Sequence, residues 1–135
     1  MKQFEVVFYG KSDGTIPAEE FIMSLDIKMA ARLYAIIGVL EEKGNMLREP
    51  YSKHLEDGIF EIRGKVGSDI SRVLYFFYFG GKIVLTNGFV KKTQKTPPSE
   101  IMRAKQYRKD YLERMEEQNE KLSRILKCNA SRSRI

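Results

Sequence analysis

The chain has a single cysteine, Cys128, in 135 residues. It can close no internal disulfide, and a reducing compartment is expected. It has a single histidine, His54, far from that cysteine, which leaves no ligand set for a structural zinc site. No apolar run approaches the roughly 18 residues that a membrane span needs. The basic-then-apolar pattern of a secretion signal is broken by Glu5 and Gly10, so a cytoplasmic protein that engages no membrane is expected. Internal repeats and linker-like stretches are also lacking, and the length is that of one domain. That domain is expected over residues 1–127, with a flexible tail at 128–135.

Acidic residues are scarce in one place. From Ile62 to Pro98 there is one acid, Asp69, against seven bases: Arg63, Lys65, Arg72, Lys82, Lys91, Lys92 and Lys95. That local balance of +6 equals the net charge of the whole chain. Residues 1–61 balance to −4 and residues 99–135 to +4, so the centre and C-terminal part form the anion-facing half. A basic surface held on a sheet, with aromatics between the charges, is what a polyanion site requires, and nucleic acid is the first candidate.

The pattern along the chain gives the fold class. Phe4 to Tyr9 is a short run of β-formers ended by Gly10. Thr15, Pro17 and Glu19 read as a helix start, with a helix over Ala18–Leu25. Asp26 can cap a second helix, in which Met29, Leu33, Ile36, Ile37 and Leu40 recur at helical spacing until Lys43-Gly44-Asn45. Pro50 to Asp57 reads as a polar connection. Ile59–Arg63 alternates as a strand, Gly64 to Ser68 reads as a loop, and Arg72–Phe79 is too aromatic and β-branched for anything but a strand. Gly80-Gly81 is a hairpin signal, and Lys82–Val90 returns as the next strand. Thr96-Pro97-Pro98 stops the sheet, and Ser99 caps a long helix with an apolar stripe of Ile101, Ala104, Tyr107, Tyr111, Met115 and Leu122. Beyond Glu116 that helix becomes very polar. The class is α+β: a four-stranded antiparallel or mixed sheet, an N-terminal helical hairpin and a C-terminal helix.

The order β-α-α-β-β-β-α on a basic sheet resembles the RelE/ParE toxin superfamily. Phe60-Glu61-Ile62-Arg63, then Arg72-Val73-Leu74-Tyr75-Phe76-Phe77, then Asn87 through Pro97 look like its phage-derived HigB-like branch. There an "E-L-R" strand, an "R-V-L-Y-F" strand and an "F-x-K-K" turn running into "T-P" recur together. The resemblance covers roughly residues 3–115. It implies a toxin of a type II toxin–antitoxin system: a ribosome-dependent, metal-independent mRNA endonuclease without cofactor, held inactive by a cognate antitoxin, for instance in a heterotetramer. Some RelE-type enzymes carry lysines where this chain has Phe60 and Glu61, so their catalytic set does not transfer wholesale. ParE-type relatives share the fold and act on DNA gyrase, and a non-catalytic nucleic-acid-binding protein of phage origin is a third reading.

Cleavage of RNA by its own 2′-hydroxyl needs alignment of the attack and stabilisation of charge on the phosphoryl oxygens. Guanidinium forks suit the second task. Arg63 and Arg72, on strands expected to be neighbours, are the first candidates, with Lys91 and Lys92 at the end of the next strand. The competing reading for the arginines is a salt bridge to Glu61 or Asp69. For the lysines it is a solvated strand end. Lys65, Lys82 and Lys95 are candidates for RNA binding. His54, Tyr75 and Tyr78 are candidates for moving the proton, against a surface histidine without a role and a tyrosine in the core. The run Phe76 to Phe79 could stack on bases, but such runs more often pack a core.

Overall fold

Three tight turns fold the central strands back on one another. Asp57-Gly58 takes positive φ at both residues (50° and 75°), Gly67 lies at 61°, and Gly80 and Gly81 lie at 79° and 72°. These are conformations that glycine adopts freely and that match the twist of hairpins. The computed structural model describes residues 2–91 and 94–132. Its elements are β1 (Glu5–Phe8), α1 (Pro17–Ser24), α2 (Ile27–Lys43), a 3-10 turn (Gly44–Met46), β2 (Ser52–Glu56), β3 (Ile59–Val66), β4 (Asp69–Tyr78), β5 (Lys82–Val90) and α3 (Pro98–Arg132).

The sheet has the order β1-β5-β4-β3-β2. Neighbours are antiparallel except β1, which runs parallel to β5. The α+β class with its mixed sheet stands, with one strand more than the sequence pattern suggests. The polar connection at Pro50–Asp57 contains β2, an edge strand whose residues are mostly exposed and so carry no hydrophobic alternation. The segment read as a loop at Gly64 to Ser68 is mostly ladder, because Lys65 pairs with Ile70 and Val66 with Asp69. The β4–β5 hairpin pairs Tyr78 with Lys82, so its turn includes Phe79, which is 85% exposed at the tip with its ring edge-on to Tyr78.

Both faces of the sheet are covered. On one, Ala18 and Ile22 of α1 and Met29, Leu33, Ile36, Ile37 and Leu40 of α2 meet Ile62, Val73, Tyr75, Ile83 and Leu85. The helical spacing read from the sequence is the buried stripe itself, and Asp26 caps α2 by accepting from the Met29 N–H at 3.0 Å. The α1 start differs. Thr15 turns to Asp13, and the Ile16 N–H is taken by Glu20 Oε2 at 2.5 Å. Gly88 lets this layer close, since a Cβ there would stand 2.3 Å from the Phe21 ring. On the other face Ala104 and Tyr111 of α3 cover Ile59, Leu74, Phe76 and Val84. Among the described residues no helix is long and apolar enough to cross a membrane.

Helix α3 continues to Arg132, past residue 128, where the sequence suggested a tail. It is pinned by a polar triad. The Tyr9 hydroxyl donates to Asp110 Oδ2 at 2.5 Å, Asp110 pairs with Arg114, and Arg114 Nη2 donates to the Gly10 carbonyl at 2.6 Å. Burial first, then the acceptor carboxylate, push the Tyr9 phenol from its ordinary 10.0 up to about 12. Folding therefore favours protonated Tyr9. That contribution is complete below about pH 10 and is lost as pH rises through about 12. Stability followed across this window should fall less steeply in Tyr9→Phe than in the wild type, and tyrosinate absorbance should lose a component that titrates at about 12. An unchanged alkaline slope would contradict the assignment.

Candidate functional site

Strand alternation decides which charges meet. Ile59 on β3 and Leu74 on β4 pack toward α3, so Glu61, Arg63 and Arg72 share that face. Arg63 and Arg72 are directly cross-strand partners, a like-charge pair that repels unless an anion compensates it. Glu61 is that anion. Its carboxylate is fully buried and accepts from Arg63 Nε at 3.0 Å, from Arg72 Nη1 at 3.1 and 3.3 Å, and from the Thr96 hydroxyl at 2.6 Å. Arg72 Nη1 also donates to Thr96 Oγ1 at 2.9 Å, and its Nη2 to the Gln94 carbonyl at 3.2 Å. Glu61 and Arg72 thus latch the turn between β5 and α3 onto the sheet.

The expectation of two forks converging on a phosphate changes accordingly. Arg63 and Arg72 do lie on one face within reach of a common anion, but that anion is the protein's own carboxylate. Arg72 is only 2% exposed and spends its terminal nitrogens on Glu61, Thr96 and Gln94, at the floor of the cleft described next. Arg63 differs. Its side chain is 26% exposed, it is anchored through Nε, and its two terminal nitrogens carry no hydrogen bond among the described residues. Arg63 lines a cleft of about 240 Å³ together with Glu61, Arg72, Lys53 and His54 of β2 and Lys95 of the latched turn, and it also borders a second concavity on the side of α2. Lys53 lies opposite Glu61 in the ladder and is exposed.

The remaining candidates separate. Tyr75 is in the core on the α2 side, where its hydroxyl shares a 2.5 Å hydrogen bond with Ser52 and burial raises its pKa. It cannot reach the cleft. Tyr78 is on the α3 side but six residues along β4 from Arg72, roughly 20 Å away, packed against Tyr111. Lys82 pairs with Tyr78 at that same far end. Lys65 lines a different concavity, with Arg32 of α2. Lys91 follows β5 directly and its N–H donates to the Ile70 carbonyl at 2.9 Å. Lys92 lies outside the described residues. His54 is exposed at the cleft edge, its ring against Phe60 and its Nε2 accepting from the Gly58 N–H at 3.2 Å. Of the three acid–base candidates it is the one that borders the cleft. Phe76 is buried, and Phe89 packs beside the same cluster.

Lys53 and Thr96 were missed in the sequence. Lys53 fell within a segment read as a connection. The Asp57-Gly58 dipeptide after it is a hairpin signal that would have turned Ser52–Glu56 into a strand and set Lys53 opposite Glu61. Thr96 gave no signal apart from its place before two prolines.

A family model for phage-derived Gp49-like proteins matches residues 20–109. The chain belongs to this Gp49-like family. The matched region runs from α1 through β5 and the latched turn into the packed part of α3, so it contains Glu61, Arg63, Arg72 and Thr96. A search of curated proteins finds no match.

Removing one partner of a buried ion pair leaves the other charged, dry and alone. Arg72→Ala should therefore destabilise this Gp49-like protein by about 3–5 kcal/mol in urea unfolding, whereas Arg63→Ala, at a partly exposed site, should cost about 1 kcal/mol or less. The paired replacement Glu61→Leu/Arg72→Met should recover most of the loss. Equal losses for Arg63→Ala and Arg72→Ala would show that the latch does not depend on Arg72.

Proposed function

We propose that this protein is a toxin of the HigB/RelE type, a ribosome-dependent endonuclease of mRNA that a cognate antitoxin neutralises. The observation that carries this reading is Arg63. It is oriented by a buried carboxylate through one nitrogen, its two terminal nitrogens carry no hydrogen bond among the described residues, and it lines a cleft together with Lys53 and Lys95. A preorganised fork of this kind meets developing charge without reorganising as the reaction proceeds. The ordered strand and turn motifs around Glu61, Arg72 and Thr96, and membership of a phage-derived family, support the same assignment.

In this reading the 2′-oxygen of a nucleotide forms a bond to the adjacent phosphorus as the bond to the 5′-oxygen breaks. A proton leaves the 2′-hydroxyl and one is delivered to the departing oxygen. Arg63 stabilises the phosphoryl oxygens, and Lys53 and Lys95 hold the flanking phosphates. Arg72 acts through Glu61 and the turn, as a positioning residue. Lys91 directly follows β5, where that turn begins. His54 is the side chain placed to exchange a proton at the cleft edge. An acidic segment of the antitoxin would complement the same cations and exclude the message.

The test is mRNA cleavage in a purified bacterial translation system. Wild type should cut within translated codons. Arg63→Ala, folded by circular dichroism, should lose about 10²–10³-fold in cleavage rate, and Lys53→Ala should weaken binding with a reduced salt dependence. Uninterrupted translation from intact message would overturn the nuclease reading and bring gyrase inhibition forward.

A further inference from the structure

The second half of α3 stands away from the domain. Every residue from Glu116 to Ala130 is exposed, a projection of about 22 Å at 1.5 Å per residue. An isolated helix of that length is marginal in water and gains its stability from a packed apolar face. This one has such a face left uncovered among the described residues: Leu122, Ile125 and Leu126 are 54%, 47% and 58% exposed.

The direction of that face is informative. Tyr111 and Met115 pack toward the sheet. Leu122 follows Tyr111, and Leu126 follows Met115, by about three helical turns, so both repeat the same side of the helix. The side that docks on the domain continues past its edge. The charges on the projection are arranged in blocks, with Glu116, Glu117 and Glu120 first and Lys121, Arg124 and Lys127 after them.

We propose that the projecting half of α3 pairs with the same segment of a second copy of this chain, antiparallel, about a two-fold axis near residues 120–121. Antiparallel pairing sets the acidic block of each helix along the basic block of the other. Parallel pairing sets like charges together. Sterics give the same orientation. The sheet sits on the inner side of α3 up to Met115, so two parallel helices joined through that side would force both domains into one space. In the antiparallel arrangement the two domains lie at opposite ends of the helix pair. The contact is isologous and closes at two chains. It draws on different residues from the cleft, and so is independent of the nuclease reading.

Sedimentation equilibrium of the full chain tests it. The expected mass is twice that of one chain, falling to one chain in Leu122→Glu/Leu126→Glu, a change at exposed positions that leaves the domain's thermal unfolding in place. Orientation is read from Asn129→Cys in a Cys128→Ser background. Antiparallel pairing holds the two thiols about 25 Å apart along the axis, so mild oxidation should yield no covalent dimer. A single-chain mass at high micromolar concentration, a dimer that survives the double substitution, or ready disulfide formation at position 129 would each overturn the proposal.

Discussion

A fully buried carboxylate organises the candidate-site face of this protein. Glu61 is fully buried, and an ionised group in that position is tolerated only if its oxygens are fully paired. Arg63, Arg72 and Thr96 supply that pairing. The consequences spread in two directions. Within the sheet, the carboxylate permits two arginines to stand side by side across β3 and β4. Beyond it, Thr96 and the Gln94 carbonyl bring the chain after β5 back over the sheet, which fixes where α3 begins. Gln94 and Thr96 are thereby held by a buried network.

The same network divides the labour between two arginines that look equivalent in sequence. Both follow the β-alternation onto one face, but Arg72 sits on the central strand, under the returning turn, and is sealed. Arg63 sits nearer the edge, beside β2, where the sheet is narrower and water reaches the guanidinium. Glu61 takes only its Nε, and among the described residues the terminal nitrogens carry no hydrogen bond. Burial, set by strand position, is what separates a scaffold arginine from an exposed one.

Much of the fold was legible because it rests on periodicity. The α2 stripe from Met29 to Leu40, the Asp26 cap and the aromatic strand β4 each carry a strong local signal, and all appear where the pattern places them. The losses have physical causes. The edge strand β2 buries little, so Ser52–Glu56 shows no alternation, and only the Asp57-Gly58 turn marks it. The site was legible in part: Arg63 and Lys95 border one cleft, and Glu61 was weighed as a partner for the arginines. That Glu61 would bind both at once, and recruit Thr96 from 35 residues away, is long-range information that no local pattern carries.

The placement of the acids is as consequential as that of the bases. A central segment with seven bases and one acid would repel itself if its charges all lay on one surface. The sheet distributes them instead. Lys82 goes to the far end of β5, Lys65 to the concavity beside α2, and Arg72 into the interior against a carboxylate drawn from just outside the segment. Around the buried Arg72 the cleft is lined by a small group of cations, Arg63, Lys53 and Lys95, from three different parts of the chain. A diffuse positive field would attract any polyanion. A few cations around one oriented fork can instead select the position of a single phosphate, because orientation lowers the barrier only where the geometry is fixed before the ligand arrives. The buried carboxylate thus supplies the rigidity that net charge alone cannot provide.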